Sequence, residues 1–341
     1  MDNGCEPSRV YDTLCVMSDD TQEDASTSGP RDNQDTTAFA RLARMFFPHA
    51  TLLRSWPLQG GVSARMTALE IADGDGQTQT LVVRQHGPAD RARNPHIARD
   101  EFRLLTALHD AGLPAPTPYG LDTSGKLFAT PVIVIEYIEG ETDFAPADLD
   151  DYLRQLAAHL ARIHQVDAAA FDLAFLPRQE ETWASIIATR PERLDDSLQE
   201  GRIRNALEAA WPWTPGNPRV LLHGDYWPGN VLWRDGRLAG VIDWEDAALG
   251  DPLADIAISR LEILWAYGVE AMDSFTDYRA ARTKMALANL PYWDLCAALR
   301  PAGRLSDWAS DAAAETRMRE RHRAFVAQAF ARLPPASLPA T

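Results

Sequence analysis

The stretch that most constrains this chain is VLLHGDYWPGNVLWRDGRLAGVIDWEDA, residues 220–247, a β-like island inside an otherwise helical half. It reads as a short apolar strand, a polar loop, a hairpin and an acidic end. Val220, Leu221 and Leu222 lead into the loop; Val241 and Ile242 lead into Asp243-Trp244-Glu245. A turn at Asp235-Gly236, residue types suited to a tight hairpin, would bring Asn230 and Asp243 close together. Asp225, Asn230 and Asp243 then offer hard oxygen atoms at the ends of apolar segments. Such a set suits Mg2+, which takes few protein oxygens and keeps other positions for water and phosphate. The competing reading makes all three ordinary turn and cap residues.

Two different patterns surround the island. Residues 1–36 are polar and acidic with few apolar anchors, so they are expected to be a disordered tail. Met17 is a plausible start by itself, so translation is expected to begin at either Met1 or Met17. From Thr37, TTAFARLARMFF predicts a helix with Phe39, Leu42, Met45 and Phe46 on one face. Three β-prone runs follow, ATLLRSWPL, SARMTALEIAD and TQTLVVRQ, the last two joined by the turn DGDGQ. Then come a helix, IARDEFRLLTALHDAG, stopped by Gly112, and a strand in PVIVIEYI. This order predicts a small antiparallel sheet with one packed helix over 37–138. Residues 139–341 read as a second, mainly helical lobe. Its helices are DLDDYLRQLAAHLARIHQV and segments near 191–211, 252–268, 271–287 and 308–332. The fold class is therefore α+β.

Composition removes several functions. Lys+Arg total 33 against 49 Asp+Glu, a net charge of −16. A chain this acidic repels phosphate backbones, which excludes a nucleic-acid partner. Only Lys126 and Lys284 are lysines, so chemistry that needs a lysine has two candidates. Cys5, Cys15 and Cys296 form no metal or disulfide spacing, which fits a reducing cytoplasm. No apolar run is long enough to predict a membrane span, and the N-terminus lacks the pattern of a secretory signal.

HGDYWPGN followed by IDWE resembles the aminoglycoside phosphotransferase and choline kinase-like family, relatives of protein kinases, and the resemblance covers roughly residues 40–300. It implies a two-lobed protein kinase-like fold that transfers the γ-phosphate of ATP, with Mg2+, to a hydroxyl of a small molecule. Asp225 would be the catalytic base; Asn230 and Asp243 would hold the metal. Gly60, Gly61 and Ser63, between the first two strands, would cradle phosphates, although Ala64 stands where the family usually has Asn. The family's third-strand lysine is replaced by Arg84, whose planar fork could hold a phosphate and a carboxylate together. Glu101 would be its partner; the bland alternative makes Arg84 a surface arginine. PVIVIEYIEG resembles the hinge between lobes, with adenine bonded to the Glu136 carbonyl and the Ile138 amide. Asp255 would bond the backbone of the catalytic loop, and His223 would pack beneath that loop. Glu262, Trp265, Tyr267, Tyr292, Trp293 and Asp294 could line a pocket for a cationic acceptor, or could simply be an acidic helix with core aromatics. Two rival classes are a catalytically weak pseudokinase, favoured by Arg84, and a metal-dependent hydrolase using His223, Asp225 and Asp243.

Overall fold

The computed structural model describes residues 30–58 and 64–333 of the 341-residue chain. They divide into two compact units: one runs to Glu141 and includes Ala239–Ile242, the other comprises Thr142–Leu238 and the chain from Asp243 onward.

The first unit is built on a five-stranded antiparallel sheet in the order β1-β2-β3-β5-β4. Helix α1 (Pro30–Phe46) precedes β1 (Thr51–Leu58), β2 (Ala64–Ala72) and β3 (Thr78–His86). Helices α2 (Pro88–Arg93) and α3 (Ile97–Asp110) follow, then β4 (Pro118–Asp122) and β5 (Val132–Glu136). Helix α1 starts before Thr37, inside the stretch expected to be a tail; Pro30 is compatible with its first turn, where the missing N–H has no helical partner to lose. The β2–β3 turn is tied by Asp73, whose Oδ1 accepts from the amides of Asp75 and Gln77, both at 2.9 Å.

Strand alternation divides this unit's interior into two faces. Leu81, Val83, Val132 and Val134 pack with Leu69 and Ile71 against Phe39 and Leu42 of α1. Arg84 and His86, at the alternate positions of β3, meet α3 through Glu101. Helix α3 stops where Gly112 takes a left-handed φ of 69°. The short strand β4 was not foreseen: PYGLD carries little β signal, yet it pairs with β5 and gives that strand two neighbours.

The second unit is helical except for its share of the island, of which Ala239–Ile242 belong to the first unit. Helix α4 (Leu149–Ile163) is capped by Asp148, whose carboxylate accepts from the Asp151 amide. Helices α5 (Gln179–Ala188) and α6 (Glu200–Ala210) come next. The island folds as β6 (Val220–Leu222), β7 (Val231–Arg234), β8 (Arg237–Val241) and β9 (Ala248–Gly250). Asp235 and Gly236 make the β7–β8 turn with φ of 52° and 70°, the paired left-handed geometry of a tight hairpin. Strand β6 pairs antiparallel with β9, so the start of the polar loop and the acidic end lie side by side.

Helices α7 (Leu253–Tyr267), α8 (Val269–Ala280), α9 (Leu290–Leu299), α10 (Leu305–Trp308) and α11 (Ala312–Arg332) complete the unit. Helix α8 ends at Ala280, short of the expected 287. The segment expected to be helical near 191–211 becomes regular α-helix only from Glu200, as α6. Among the described residues no helix is long and apolar enough to cross a membrane.

Candidate active site

The loop after β6 is fixed from below. Asp255, fully buried in the first turn of α7, accepts from the backbone amides of His223 and Gly224, both at 2.9 Å. Its Oδ2 also meets His164 Nε2 at 3.0 Å, and His164 Nδ1 meets Arg279 Nη2 at 2.7 Å. Because the arginine can only donate, His164 accepts on Nδ1 and donates from Nε2, the neutral tautomer. Burial, assisted by the Arg279 charge, lowers the His164 pKa accordingly. Burial alone would push the Asp255 carboxyl up; the bond from His164 and the other donors outweigh it and hold it below its ordinary value. An ion-dipole frame therefore holds the loop's backbone.

Two residues of HGDYWPGN are dictated by space. Gly224 has φ of 83°, and a Cβ there would lie 2.0 Å from the Asp246 carbonyl oxygen. A Cβ on Gly229 would strike the Trp227 ring at 2.2 Å. His223 is fully buried, packs at a tilt against Trp244 with ring centroids 4.5 Å apart, and accepts from the Asp225 amide on Nδ1 at 3.2 Å. It supports the loop, the role expected of it.

On this frame Asp225 and Asn230 come together. Asn230 Nδ2 donates to the Asp225 backbone oxygen at 2.9 Å and to Oδ2 at 3.0 Å. With its amine so used, Asn230 offers Oδ1 as a ligand atom. Asp243 follows β8 in a left-handed conformation, φ 63°, rare for a non-glycine residue and typical of constrained functional positions. An amide oxygen and a carboxylate are the hard donors Mg2+ takes, and that ion needs few of them from protein. Among the described residues no group of three or more His, Cys, Asp and Glu side chains is placed to hold a metal, so a transition-metal hydrolase site has no support there.

Sequence reading missed the partner on the other side of Asp225. Arg300, which caps α9, donates from Nη2 to Asp225 Oδ1 at 2.5 Å. The pair is part-exposed, with side chains 22% and 25% accessible. Glu262 on α7 adjoins it; burial and the Asp225 charge raise its pKa to about 8 against the pull of Arg300. Tyr292 is half-buried and stacks on Trp213 at 4.9 Å, and the other four residues considered for an acceptor pocket are committed elsewhere. Asp294 is buried against Arg260 at 3.0 Å, Trp265 Nε1 donates to the Met318 carbonyl at 3.0 Å, and Tyr267 donates to the Asp143 carbonyl at 3.0 Å. Trp293 is buried as well.

The first unit holds the second charged cluster. Arg84 is no surface residue: it is 5% exposed, and its Nε lies 3.4 Å from Glu101 Oε2. The same carboxylate oxygen meets His86 Nε2 at 2.5 Å. Burial would raise the Glu101 pKa, but the Arg84 charge and the His86 bond overcome it and hold it below its ordinary value. His86 was not anticipated, although residues i and i+2 of a strand share a face, and that signal was available from Arg84. Glu136 ends β5 with its carboxylate bonded to Thr117 Oγ1 at 2.7 Å and its amide to the Thr117 carbonyl at 2.8 Å. Ile138 packs on Gly240, where a Cβ would lie 2.5 Å from Ile138 Cδ1. Lys126 and Lys284 are both exposed. Gly60, Gly61 and Ser63 lie outside the described residues.

Comparison with known proteins supplies the family context. Residues 56–299 match the model of the phosphotransferase enzyme family. Acyl-CoA dehydrogenase family member 10 of Mus musculus is 30% identical over 202 residues, 53% of this chain and 18% of that protein. The chain spans about a fifth to a quarter of the length of the first curated relatives it matches. The homoserine kinase of Methylocella silvestris is 29% identical over 164 residues, 46% of this chain and 50% of that enzyme. A solved aminoglycoside phosphotransferase, in ternary complex with ADP and hygromycin B, shares the fold with a TM-score of 0.58 at 18% identity. That superposition covers 85% of this chain and 98% of the other.

Proposed function

Because this chain belongs to the phosphotransferase enzyme family, we propose that it is an ATP- and Mg2+-dependent kinase of a small-molecule hydroxyl. The reading is carried by Asp225: a part-exposed carboxylate, bonded by Asn230 at 3.0 Å, in a loop whose backbone is pinned by Asp255.

Asp225 receives or orients the proton of the attacking hydroxyl. Each carboxylate oxygen has two acceptor sites, so bonds from Asn230 and Arg300 leave room for the acceptor. Phosphoryl transfer has a loose transition state that needs alignment of the hydroxyl more than its early deprotonation. Asn230 Oδ1 and Asp243 would hold Mg2+, which when bound neutralises charge on the phosphates. Arg84, oriented by Glu101, would bind phosphate oxygens in the place of the family's lysine, and the backbone at Glu136 and Ile138 would bind adenine. Gly60, Gly61 and Ser63 would approach the phosphates through their amides.

The test is acceptor-dependent ADP release with detection of the phosphorylated product, run over alcohols that include homoserine, aminoglycosides and macrolides. ADP formed together with a phosphorylated acceptor is the expected result. Arg84 in the lysine position favours a second reading, a nucleotide-binding module without useful turnover. Nucleotide binding with no product from any acceptor would select it, and hydrolysis without ATP would discard both.

A further inference from the structure

The first unit contains a cavity of about 130 Å³ that none of these roles uses. Its walls are the end of β3 (His86), α2 (Arg91), the first turn of α3 (His96 to Arg99) and the β4–β5 connection (Thr123). Two arginines and two histidines line it, and no carboxylate does. That volume is well above what one water needs and suits a small polyatomic ion.

Three independent features give the cavity one chemical character. First, α3 is 14 residues long and its N-cap, His96, makes no side-chain capping bond; the Ile97 amide is taken by the Asn94 carbonyl at 3.1 Å, which leaves the Ala98 and Arg99 amides of the first turn to the cavity those residues line. Second, Arg91 is fixed at the rim, its Nε donating to the His86 carbonyl at 3.2 Å. Its guanidinium is held there instead of sweeping through solvent. Third, His86 is 3% exposed, and while Nε2 is engaged by Glu101, Nδ1 has no hydrogen-bond partner. A buried ring nitrogen left unpaired at the floor of a basic cavity indicates a missing ligand.

We infer that this cavity is a binding site for a phosphoryl dianion, either inorganic phosphate or the phosphate of a small monoester. Oxygens of the anion accept from the α3 amides, from the Arg91 and Arg99 guanidiniums, and from Nδ1–H of His86. The last contact requires the imidazolium, because Glu101 already takes the Nε2 proton's bond. A neutral ligand gains nothing from the arginines or the helix dipole.

The site reaches the Arg84 cluster through one ring. The anion on Nδ1 fixes His86, His86 fixes Glu101, and Glu101 faces Arg84. Binding of the anion stands on its own. Its effect on nucleotide binding rests on the proposed role of Arg84, so the two are tested separately.

The binding test is thermal unfolding and calorimetry of the full chain with phosphate, phosphoethanolamine and chloride at constant ionic strength. A non-hydrolysable ATP analogue is kept saturating so that anions cannot report on the nucleotide site. Phosphate, phosphoethanolamine or both should stabilise the protein while chloride does not, and the effective arm identifies the source. In Arg91→Ala/Arg99→Ala the affinity should fall about tenfold to hundredfold for each charge-assisted bond lost. Arg91→Lys should recover part of it. Phosphate stabilisation that is equal in wild type and double variant, or absent at millimolar phosphate, overturns the site. The coupling is read next, in KM for ATP with and without phosphate: a change in wild type that is lost in the double variant supports the His86 relay. An unchanged KM, with binding intact, overturns the relay alone.

Discussion

Glu101 in the first unit and Asp225 in the second each meet an arginine, under opposite conditions. Glu101 and Arg84 are sealed from water, with His86 as a third member. Asp225 and Arg300 are about a quarter exposed, with an amide as the third member. Removing one partner of a sealed pair strands a charge where water cannot reach it, whereas water replaces the lost partner of an exposed pair. Burial thus gives the first cluster a fixed geometry, and exposure gives the second a carboxylate that an acceptor can approach. On the proposed reading the first orients and the second reacts.

The largest expected effect tests the reactive side. Asp225→Ala should lower kcat by about 10²–10⁴, the usual worth of a positioned general base, with ATP affinity nearly unchanged. Steady-state kinetics beside calorimetric ATP titration measures both, and wild-type turnover would remove Asp225 from the chemistry. Stability comes next. Glu101→Ala should cost about 3–5 kcal/mol because it leaves Arg84 buried without a counter-charge. Arg300→Ala should cost less than that, because Asp225 is part-exposed and water can partly replace the lost partner. Denaturant unfolding of both variants decides, and equal losses would erase the contrast between the clusters.

A finer test asks whether Arg84 and Glu101 act together. Arg84→Lys should reduce kcat/KM about tenfold to hundredfold, since losing a charge-assisted bond costs about 1.5–3 kcal/mol. Arg84→Ala should be worse. Glu101→Gln should harm the wild type more than it harms Arg84→Ala, and additive effects in that cycle would sink the pairing.

The last test is in pH dependence, where Glu101 and Glu262 should act with opposite signs. Glu262, raised from 4.5 to about 8, keeps a proton in the folded state that the unfolded chain releases. Its contribution is full below pH 4.5 and is lost as pH rises toward 8. Glu101, held below 4.5, contributes above that value and loses it as pH falls through the folded pKa. Glu262→Gln should therefore flatten the stability decline on the alkaline side and leave the acid side unchanged. Melting curves across that range check it; an unaltered alkaline slope would mean that Glu262 titrates normally.

What the sequence by itself determined was local. The Asp235-Gly236 turn, the strands around Arg84 and the helix-borne Glu101 follow from spacing and residue type over a few turns of chain, whereas Asp225 and Asn230 were singled out by the resemblance of their motif to a known family. Gly224 could have been read as obligatory only with Asp246 in view, because the atom that forbids a side chain there belongs to the loop just before β9. Tertiary structure alone decided the rest. Arg300 reaches Asp225 across 75 positions, and no periodicity carries that information. Asp294 and Trp265 were acid and aromatic residues of a possible pocket until packing committed one to Arg260 and the other to the Met318 carbonyl. Hydrogen-bond donors and carboxylates are ambiguous in sequence because each can serve solvent, core or substrate. Only the partners brought in by long-range packing, and the water they exclude, settle which.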